Sequence, residues 1–186
     1  MNTNNILIIN TSGNGIDLVL GNKSMHMDAE KQSIALPGAV MDFMKQNNVQ
    51  MSDLTAIGVI VGPGSFTGIR MGIAYAKGLG IGLNIPVVPI NLFELYLYEN
   101  PDAFVAIDSG RGDFFVASKI HEPCTMTIEE VEVEQMKCPQ TVGHKPFNLK
   151  NAITIVENKI KSGDLQPAIP MYLRPSYVET NKQEKK

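Results

Sequence analysis

The sequence has only two cysteines, no block of basic residues and no apolar run that approaches the length of a membrane span. Cys124 and Cys138 stand fourteen residues apart without a CxxC motif, which argues against a zinc site and against a disulfide framework. The opening segment MNTNNILIIN lacks the basic region of a signal peptide. We therefore expect a protein of the reducing cytoplasm that does not enter a membrane.

The charge distribution and the lack of catalytic motifs argue against several classes of function. The formal net charge is −3, and the positive charges are spread along the chain, whereas a protein that binds nucleic acid alone usually carries a basic patch. If RNA is involved, we expect another chain to hold most of it. His26, His121 and His144 lack HxxxH or HxxH spacing, so we interpret them as surface residues rather than metal ligands. No GxSxG motif is present.

The chain is nevertheless long and apolar enough to build a core, since 186 residues at 44% hydrophobic content accommodate one domain or two small lobes. Hydrophobic periodicity predicts strands at 6–9, 16–20, 54–62 and 85–90, and helices at 33–47, 67–83 and 92–100. The first two strands are predicted to form a β-hairpin. The nearly continuous apolar run LTAIGVIVG is typical of a strand buried on both faces.

A second unit is predicted from Pro101 onward, with strands at 103–108, 113–120 and 125–133 and a helix within 147–163. The last of these strands alternates in part between glutamates and apolar residues, which indicates the solvent side of an edge strand. The glutamates are Glu129, Glu130, Glu132 and Glu134. We expect an N-terminal lobe at 1–100, a C-terminal lobe at 101–178 and a frayed polar tail at 179–186.

An internal repeat relates the two units. ILIINTSGNGIDLVL and FVAIDSGRGDFFVA each combine an apolar strand, a polar residue at its end, an SGxG turn and a second apolar strand. The polar residue is Asn10 in one copy and Asp108 in the other. Two unrelated hairpins that both need glycine would give the same pattern. A duplicated lobe instead predicts an actin-like or RNase H-like α/β architecture, in which nucleotide phosphates lie between two turns that face one another.

The predicted helix 67–83 contains five glycines, which together cost about 4 to 5 kcal/mol relative to alanine. Gly68, Gly72, Ala76 and Gly80 recur every four residues and leave one flank of the helix nearly bare. We expect close packing on this flank to offset the cost. The other small residues leave room for a helix of a partner.

Two turns are candidates for an anion site. The glycine turn before helix 67–83 has neither P-loop nor GxGxxG spacing, and a structural turn capped by Ser65 or Thr67 is the alternative. Asp108 is either a turn-forming residue or a catalytic carboxylate. A vestigial phosphate or nucleotide site would comprise Asn10, Ser12, Gly13, Gly64, Ser65, Asp108 and Gly110.

The segment GPGSFTGIRMGIAYAKGLGIGLNIPVVPI resembles the signature of the TsaB (YeaZ) family, the bacterial partner subunit in tRNA threonylcarbamoyladenosine modification. ILIINTS, SIALPGAV, AIDSGRGDFF and PMYLRPSYVE support the resemblance over most of the chain. It implies an actin-like, two-lobed protein that pairs with its paralogue TsaD through helices of the N-terminal lobe and works with the ATPase TsaE. TsaD would carry the metal site and transfer the threonylcarbamoyl group to the adenine beside the anticodon, and TsaB has no established chemistry of its own.

Three positions depart from the family pattern. The family usually has Asp where this chain has Asn10, His where it has Gln32, and a second Arg where it has Gly110. Asn10 removes a carboxylate that would organise a magnesium-bound nucleotide. The chain is also short after residue 120, so we expect a shortened second lobe.

These features favour a non-catalytic activating subunit without a cofactor of its own, with ATP and a divalent metal held by the partner subunits. The resemblance implies that it forms a heterodimer with TsaD, meets tRNA only through the complex and forms a homodimer when TsaD is absent. One alternative is an actin-like ATPase or phosphotransferase with its own nucleotide site, for which only Asp108 and the turn at 62–67 are candidates. The other alternative is a peptidase, but the sequence offers no set of ligands for a peptidase site.

We place the partner-binding surface on helices 33–47 and 67–83, which carry more large apolar side chains than packing on one sheet face requires. The predicted partner residues are Met41, Met44, Arg70, Met71, Ala74, Tyr75 and Gly78. The alternative is that they belong to an ordinary core.

Overall fold

The computed structural model describes residues 5–138, 140–143 and 147–174, so the predicted tail at 179–186 and His144 lie outside the described residues. In these ranges no helix is both long and apolar enough to cross a membrane.

The elements of the first half are β1 Ile6–Asn10, β2 Ile16–Leu20, β3 Lys23–Met27, α1 Gln32–Gln46, β4 Ala56–Ile60, α2 Phe66–Leu83, β5 Val87–Ile90 and α3 Leu92–Glu99, with a short 3₁₀ turn at Met51–Asp53.

Five strands form the first sheet in the order β3-β2-β1-β4-β5. The predicted hairpin is confirmed, since β1 and β2 pair antiparallel, and β4 and β5 extend the sheet with parallel pairing. All five residues of β4 are buried, as its continuous apolar run predicts. Strand β3 was not predicted, because KSMHM is largely polar and only Met25 and Met27 pack against the core.

Helices α1 and α2 cover one face of this sheet. Leu36 and Phe43 of α1 and Ile69 and Ile73 of α2 are at most 5% exposed, and they join one core cluster with residues of β1, β2 and β4. The two helices also contact each other. Their opposite sides therefore form the outer surface of this lobe.

Helix α2 approaches the sheet through glycines, which confirms the packing predicted for its bare flank. A Cβ atom on Gly68 would lie 2.0 Å from the Thr11 carbonyl oxygen, and one on Gly72 would lie 2.3 Å from Thr11 Oγ1. Near the end of the helix, a Cβ atom on Gly80 would lie 2.4 Å from Cγ2 of Val87. Thr11 Oγ1 donates a 2.7 Å hydrogen bond to the Gly68 carbonyl. This close approach requires glycine, and the contacts it allows offset the lost helix propensity.

The second sheet has the strand order β8-β7-β6-β9. The elements of the second half are β6 Phe104–Asp108, β7 Asp113–Ala117, β8 Cys124–Thr127, α4 Ile128–Lys137, β9 Thr141–Val142 and α5 Asn151–Ser162. The turn at 109–112 joins β6 to β7, just as the first turn joins β1 to β2. The two hairpins lie in separate sheets, which agrees with a duplicated lobe. That the two turns face one another across a cleft stays a prediction.

The strand predicted at 125–133 is wrong beyond Thr127. Thr127 Oγ1 accepts a 3.3 Å hydrogen bond from the backbone N–H of Glu130, and the Glu130 carboxylate accepts one of 2.8 Å from Thr127 N. This reciprocal pair is a capping box, and it begins helix α4. The residues predicted on an edge strand are therefore helical, and only Val131 of this helix is buried. They are Glu129, Glu130, Glu132 and Glu134.

Helix α5 crosses back to the first sheet. Its residues Ala152, Ile153 and Val156 pack with Ile6 and Ile60 in a core cluster on the face opposite α1 and α2. A helix from the second half of the chain thus completes the core of the first lobe. The boundary predicted at residue 100 separates the two sheets but not the helices that cover them.

Residues 165–174, here called the strap, have no regular structure and contact both lobes. Ala168 is 2% exposed within the core of the first lobe, and the backbone N–H of Met171 donates a 2.7 Å hydrogen bond to the carbonyl of Val61. Leu173 packs in a cluster with Val105 of the second sheet. The strap therefore ties the end of β4 to the second sheet.

Candidate functional site

The first turn uses its polar groups internally. Asn10, at the end of β1, accepts hydrogen bonds through Oδ1 from Ser12 N at 3.0 Å and Ser12 Oγ at 2.7 Å. Its Nδ2 donates to Asp17 at 2.9 Å. Asn10, Thr11 and Ser12 are at most 5% exposed, while Gly13 at the tip is exposed. Both ends of the Asn10 amide are thus occupied by the protein itself.

The glycine loop before α2 lies directly on this turn. Ser65 N donates a 2.7 Å hydrogen bond to the Ser12 carbonyl, and a Cβ atom on Gly64 would lie 2.4 Å from the same oxygen. Ser65 Oγ accepts a 3.3 Å hydrogen bond from Gly68 N, so Ser65 is the N-cap of α2. The interpretation as a capped structural turn is confirmed. The N–H groups of Ser12 and Ser65 are engaged within the protein.

Gln32 joins the first turn to the start of α1. Its Nε2 donates to the carbonyl of Gly13 at 3.1 Å, to that of Thr11 at 3.4 Å, and to that of Gly15. Sequence reasoning noted Gln32 only as a departure from a family pattern and missed this contact, which has no local signal. A neutral amide can donate here at any pH, whereas imidazole must carry its proton on the facing nitrogen.

The second turn is also closed by its own side chains. Asp108 Oδ1 accepts a 2.7 Å hydrogen bond from Gly110 N, which confirms that Asp108 is a turn-forming residue. Arg174 of the strap donates a 3.0 Å hydrogen bond to Ser109 Oγ and pairs with Asp113. Burial lowers the pKa of Arg174. The strap therefore anchors the turn that sequence reasoning marked as a vestigial nucleotide contact.

The two histidines within the described residues, His26 and His121, have carboxylate partners. His26 is exposed, with Nδ1 2.6 Å from Asp17 and Nε2 3.3 Å from Asp28, and the hydrogen bond to Asp17 is the main cause of its raised pKa. His121 lies 3.1 Å from Glu134, and its side chain is 26% exposed, so it is a partly buried residue at the surface. Within the described ranges, no three His, Cys, Asp or Glu side chains form a group that could hold a metal ion.

The outward sides of α1 and α2, here called the outer face, carry four of the predicted partner residues. Met41, Arg70, Ala74 and Gly78 are all exposed there. Met44 is 2% exposed and packs in the core, because it lies on the side of α1 that faces the sheet. Its assignment to the partner surface is wrong, and the core interpretation holds for this residue.

The remaining predicted residues lie at the border of the outer face. Met71 and Tyr75 are half-buried against the core, and burial raises the pKa of Tyr75. Sequence reasoning missed Ile34 and Ile81, which are 74% and 82% exposed. The signal was helical spacing, since the exposed positions recur three and four residues apart on each helix. These positions are Ile34, Gly38 and Met41 on α1, and Ala74, Gly78 and Ile81 on α2.

The glycines of the outer face have open space beside them. A Cβ atom on Gly38, Gly78 or Gly82 would meet no other atom within 4 Å. Gly68 and Gly72, on the other side of α2, are held against Thr11. Helix α2 therefore carries two flanks of small residues, of which one is filled by the sheet and the other is bare.

The chain is similar in sequence to a known family and to several known proteins. The family model described as TsaD: tRNA N6-adenosine threonylcarbamoyltransferase matches residues 27–167. The tRNA threonylcarbamoyladenosine biosynthesis protein TsaB of Buchnera aphidicola subsp. Baizongia pistaciae is 31% identical over 88 residues, which are 45% of this chain and 40% of that protein. The TsaB of Haemophilus influenzae is 32% identical over 89 residues, 44% of this chain and 37% of that protein. The chain thus aligns with well under half the length of these two relatives.

Solved structures are similar over nearly the whole described fold. YeaZ from Pseudomonas aeruginosa superposes with a TM-score of 0.67 at 18% identity, covering 90% of this chain and 99% of that chain. A protein of Pseudomonas aeruginosa described as uncharacterized, with similarity to peptidase YeaZ, gives 0.68 at 17% identity, covering 91% and 99%. These structures confirm the predicted two-lobed actin-like fold. The TsaB relatives confirm the resemblance to the TsaB (YeaZ) family.

Proposed function

Because the chain belongs to the family of TsaD, the tRNA N6-adenosine threonylcarbamoyltransferases, we propose that it is a non-catalytic subunit that activates a TsaD paralogue. TsaD transfers the threonylcarbamoyl group to the adenosine beside the tRNA anticodon, and the ATPase TsaE works with the same complex. This chain meets tRNA only through the complex. The names of the similar TsaB proteins support a role in the same biosynthesis.

The single observation that carries this proposal is the outer face. Ile34, Met41 and Ile81 are 74%, 64% and 82% exposed on two adjacent helices, and apolar surface of this kind marks interaction sites. The open glycines Gly38 and Gly78 allow the backbone of a partner helix to come close. A TsaD helix pair docks here, and in the absence of TsaD a second copy of this chain covers the same face in a two-fold homodimer.

The closed turns support the non-catalytic part of the proposal. In active members of an actin-like fold, both turns contact nucleotide phosphates, but here Ser12, Ser65 and Asp108 bond within the protein. Asn10 also provides an amide where a metal-bound nucleotide would need a carboxylate. ATP and the divalent metal therefore belong to the partner subunits.

Complex formation tests the proposal. The chain and TsaD from the same organism are purified separately and analysed by size-exclusion chromatography with light scattering, alone and mixed. We expect a homodimer alone, a heterodimer in the mixture, and threonylcarbamoyl transfer that requires this chain together with TsaD, TsaE, ATP and tRNA. A chain that leaves the elution of TsaD unchanged, while TsaD and TsaE reach full activity without it, would refute the proposal.

We also expect the isolated chain to neither bind nor hydrolyse ATP. Isothermal titration with ATP and Mg²⁺ should give no saturable heat, and phosphate release should equal a protein-free blank. Asp108→Ala is the matched variant, because Asp108 is the carboxylate that the alternative ATPase function would need. Phosphate release above the blank that disappears in this variant would favour the ATPase over the accessory subunit.

A further inference from the structure

An arginine on the outer face is fixed by two aromatic rings. Arg70 on α2 places its guanidinium carbon 3.8 Å from the centroid of the Phe66 ring and 5.3 Å from that of Tyr172. The two rings stack on each other with centroids 4.8 Å apart. Arg70 Nε donates a hydrogen bond to the Tyr172 hydroxyl, which belongs to the strap a hundred residues later in the chain. The guanidinium is thus held by a stack and by a directional bond.

The strap that carries Tyr172 is itself anchored on both sides of this residue. Met171 N donates a hydrogen bond to the Val61 carbonyl at 2.7 Å, and Arg174 pairs with Asp113 of the second lobe. The Tyr172 ring is therefore not a free surface side chain, although it is 40% exposed. An arginine ordered in this way loses less conformational entropy on binding than a free one.

Most of the guanidinium remains available. An arginine carries five N–H donors, and the bond to Tyr172 uses the one on Nε. In the described part of the chain no carboxylate pairs with Arg70, whereas Arg174 pairs with Asp113. Arg70 is also exposed. Its two terminal nitrogens form a planar fork, which fits the two oxygens of a carboxylate.

The surroundings of Arg70 indicate which kind of molecule carries that carboxylate. Ala74, Gly78 and Ile81 follow Arg70 along the same side of α2, and they form an apolar surface of small and aliphatic residues. A nucleic-acid site would add further cations, but the chain has a net charge of −3. Arg70 and the exposed Lys77, two turns later, are the cations of α2, and an arginine beside an apolar flank is typical of a protein interface.

We propose that Arg70 is the charged anchor of the outer face and binds an aspartate or glutamate of the docked TsaD, with Tyr172 as the residue that positions it. This inference rests on the proposed function, because it names the chemistry that the partner must present at that surface. The carboxylate pairs with the terminal nitrogens of Arg70, while the stack with Phe66 and the Tyr172 bond keep the fork oriented. The strap thereby contributes to partner affinity although it lies outside both helices.

Two variants and their combination test the proposal by isothermal titration of TsaD into the full chain. Arg70→Gln removes the charge, and we expect affinity to fall about 30-fold or more, as for a buried arginine anchor. Tyr172→Phe keeps the stack and removes only the hydroxyl, so we expect a loss of about 3- to 10-fold. Because Tyr172 acts through Arg70, the double variant should bind no more weakly than Arg70→Gln alone.

Salt dependence separates this positioning role from a merely structural one. The affinity of the wild type for TsaD should decrease as the salt concentration rises from about 0.05 to 0.5 M. The affinity of Arg70→Gln should depend less on salt, because the pair that this variant removes is electrostatic. Each variant is also melted, and we expect Tyr172→Phe to melt within about 2 °C of the wild type, since it breaks one exposed hydrogen bond.

Four outcomes would overturn the proposed role of Arg70. Wild-type affinity in Arg70→Gln, or additive losses in the double variant, would overturn the anchor while leaving the interface standing. Binding of an RNA oligonucleotide to the isolated chain that Arg70→Gln abolishes would show that the ligand is a phosphate, which also overturns the proposal. If the wild-type chain does not bind TsaD, the proposed function fails and this inference fails with it.

Discussion

An Ala74→Glu chain is expected to bind TsaD at least about 30-fold more weakly than the wild type while melting at nearly the same temperature. Ala74 is exposed at the centre of the outer face, so a glutamate there is solvated in the free chain and helix propensity changes little. In the complex the same carboxylate is buried against an apolar partner surface, which costs about 2 to 5 kcal/mol. It also lies one helical turn from Arg70 and competes for the guanidinium.

The matched control is Asn158→Glu, which adds the same carboxylate to an exposed position of α5 on the opposite side of the first sheet. We expect this variant to bind TsaD like the wild type. Binding is measured by titration and by pull-down, and folding by thermal melting. Wild-type affinity in Ala74→Glu would place the interface elsewhere. A large drop in its melting temperature would show that this flank is core.

Two alanine substitutions in the same helix are expected to act in opposite directions. Gly68→Ala should destabilise the protein by about 3 kcal/mol or more, because its Cβ atom would lie 2.0 Å from the Thr11 carbonyl oxygen. Gly78→Ala should stabilise it by up to about 1 kcal/mol, because its Cβ atom meets nothing within 4 Å and alanine favours the helix. The chemistry of the two substitutions is identical, so only the packing differs.

The free energy of unfolding of both variants and the wild type is measured by urea denaturation, and their melting temperatures by thermal denaturation. For a chain of this size, a loss of about 3 kcal/mol lowers the melting temperature by about 6 to 12 °C. Unchanged stability in Gly68→Ala would mean that α2 can shift away from β1 without loss. In that case close packing on Thr11 would not be the reason for glycine on the inner flank of α2.

Features with a local signal were predictable from the sequence. The apolar run of β4 identified a strand buried on both faces, and the repeated SGxG turns identified two hairpins in separate sheets. The four-residue spacing of Gly68 and Gly72 identified the flank of α2 that packs on the sheet. In each case the residues that carry the signal are neighbours in sequence or within one element.

Errors arose where two local patterns competed. Glutamates that alternate with apolar residues indicated a strand, but the capping box of Thr127 and Glu130 begins a helix, and its two reciprocal hydrogen bonds form within one turn. Met44 was assigned to the partner surface from its residue type alone. Its position on α1 relative to Leu36 and Val40, which are buried, places it on the sheet side.

The parts of the candidate site that depend on distant residues could not be predicted. Gln32 donates to carbonyls of the first turn from the start of α1, and Tyr172 reaches Arg70 across a hundred residues of chain. Neither contact leaves a periodic or spaced pattern in the sequence. They are consequences of tertiary packing, which brings α1 and the strap against the elements that they contact.

The return of α5 to the first sheet determines when this protein can fold on the ribosome. Residues 5–100 contain every strand of the first sheet, yet α3 contributes only Leu92 and Leu95 to the buried core that covers Ile6 and Ile60, and α5 adds Ala152, Ile153 and Val156 to it. After the first hundred residues are made, roughly 60 more must follow, which takes about 3 to 12 seconds at usual rates of synthesis. During that interval the nascent chain exposes the part of this apolar sheet face that α5 later covers, so we expect ribosome-associated chaperones to bind it there until the last helix emerges.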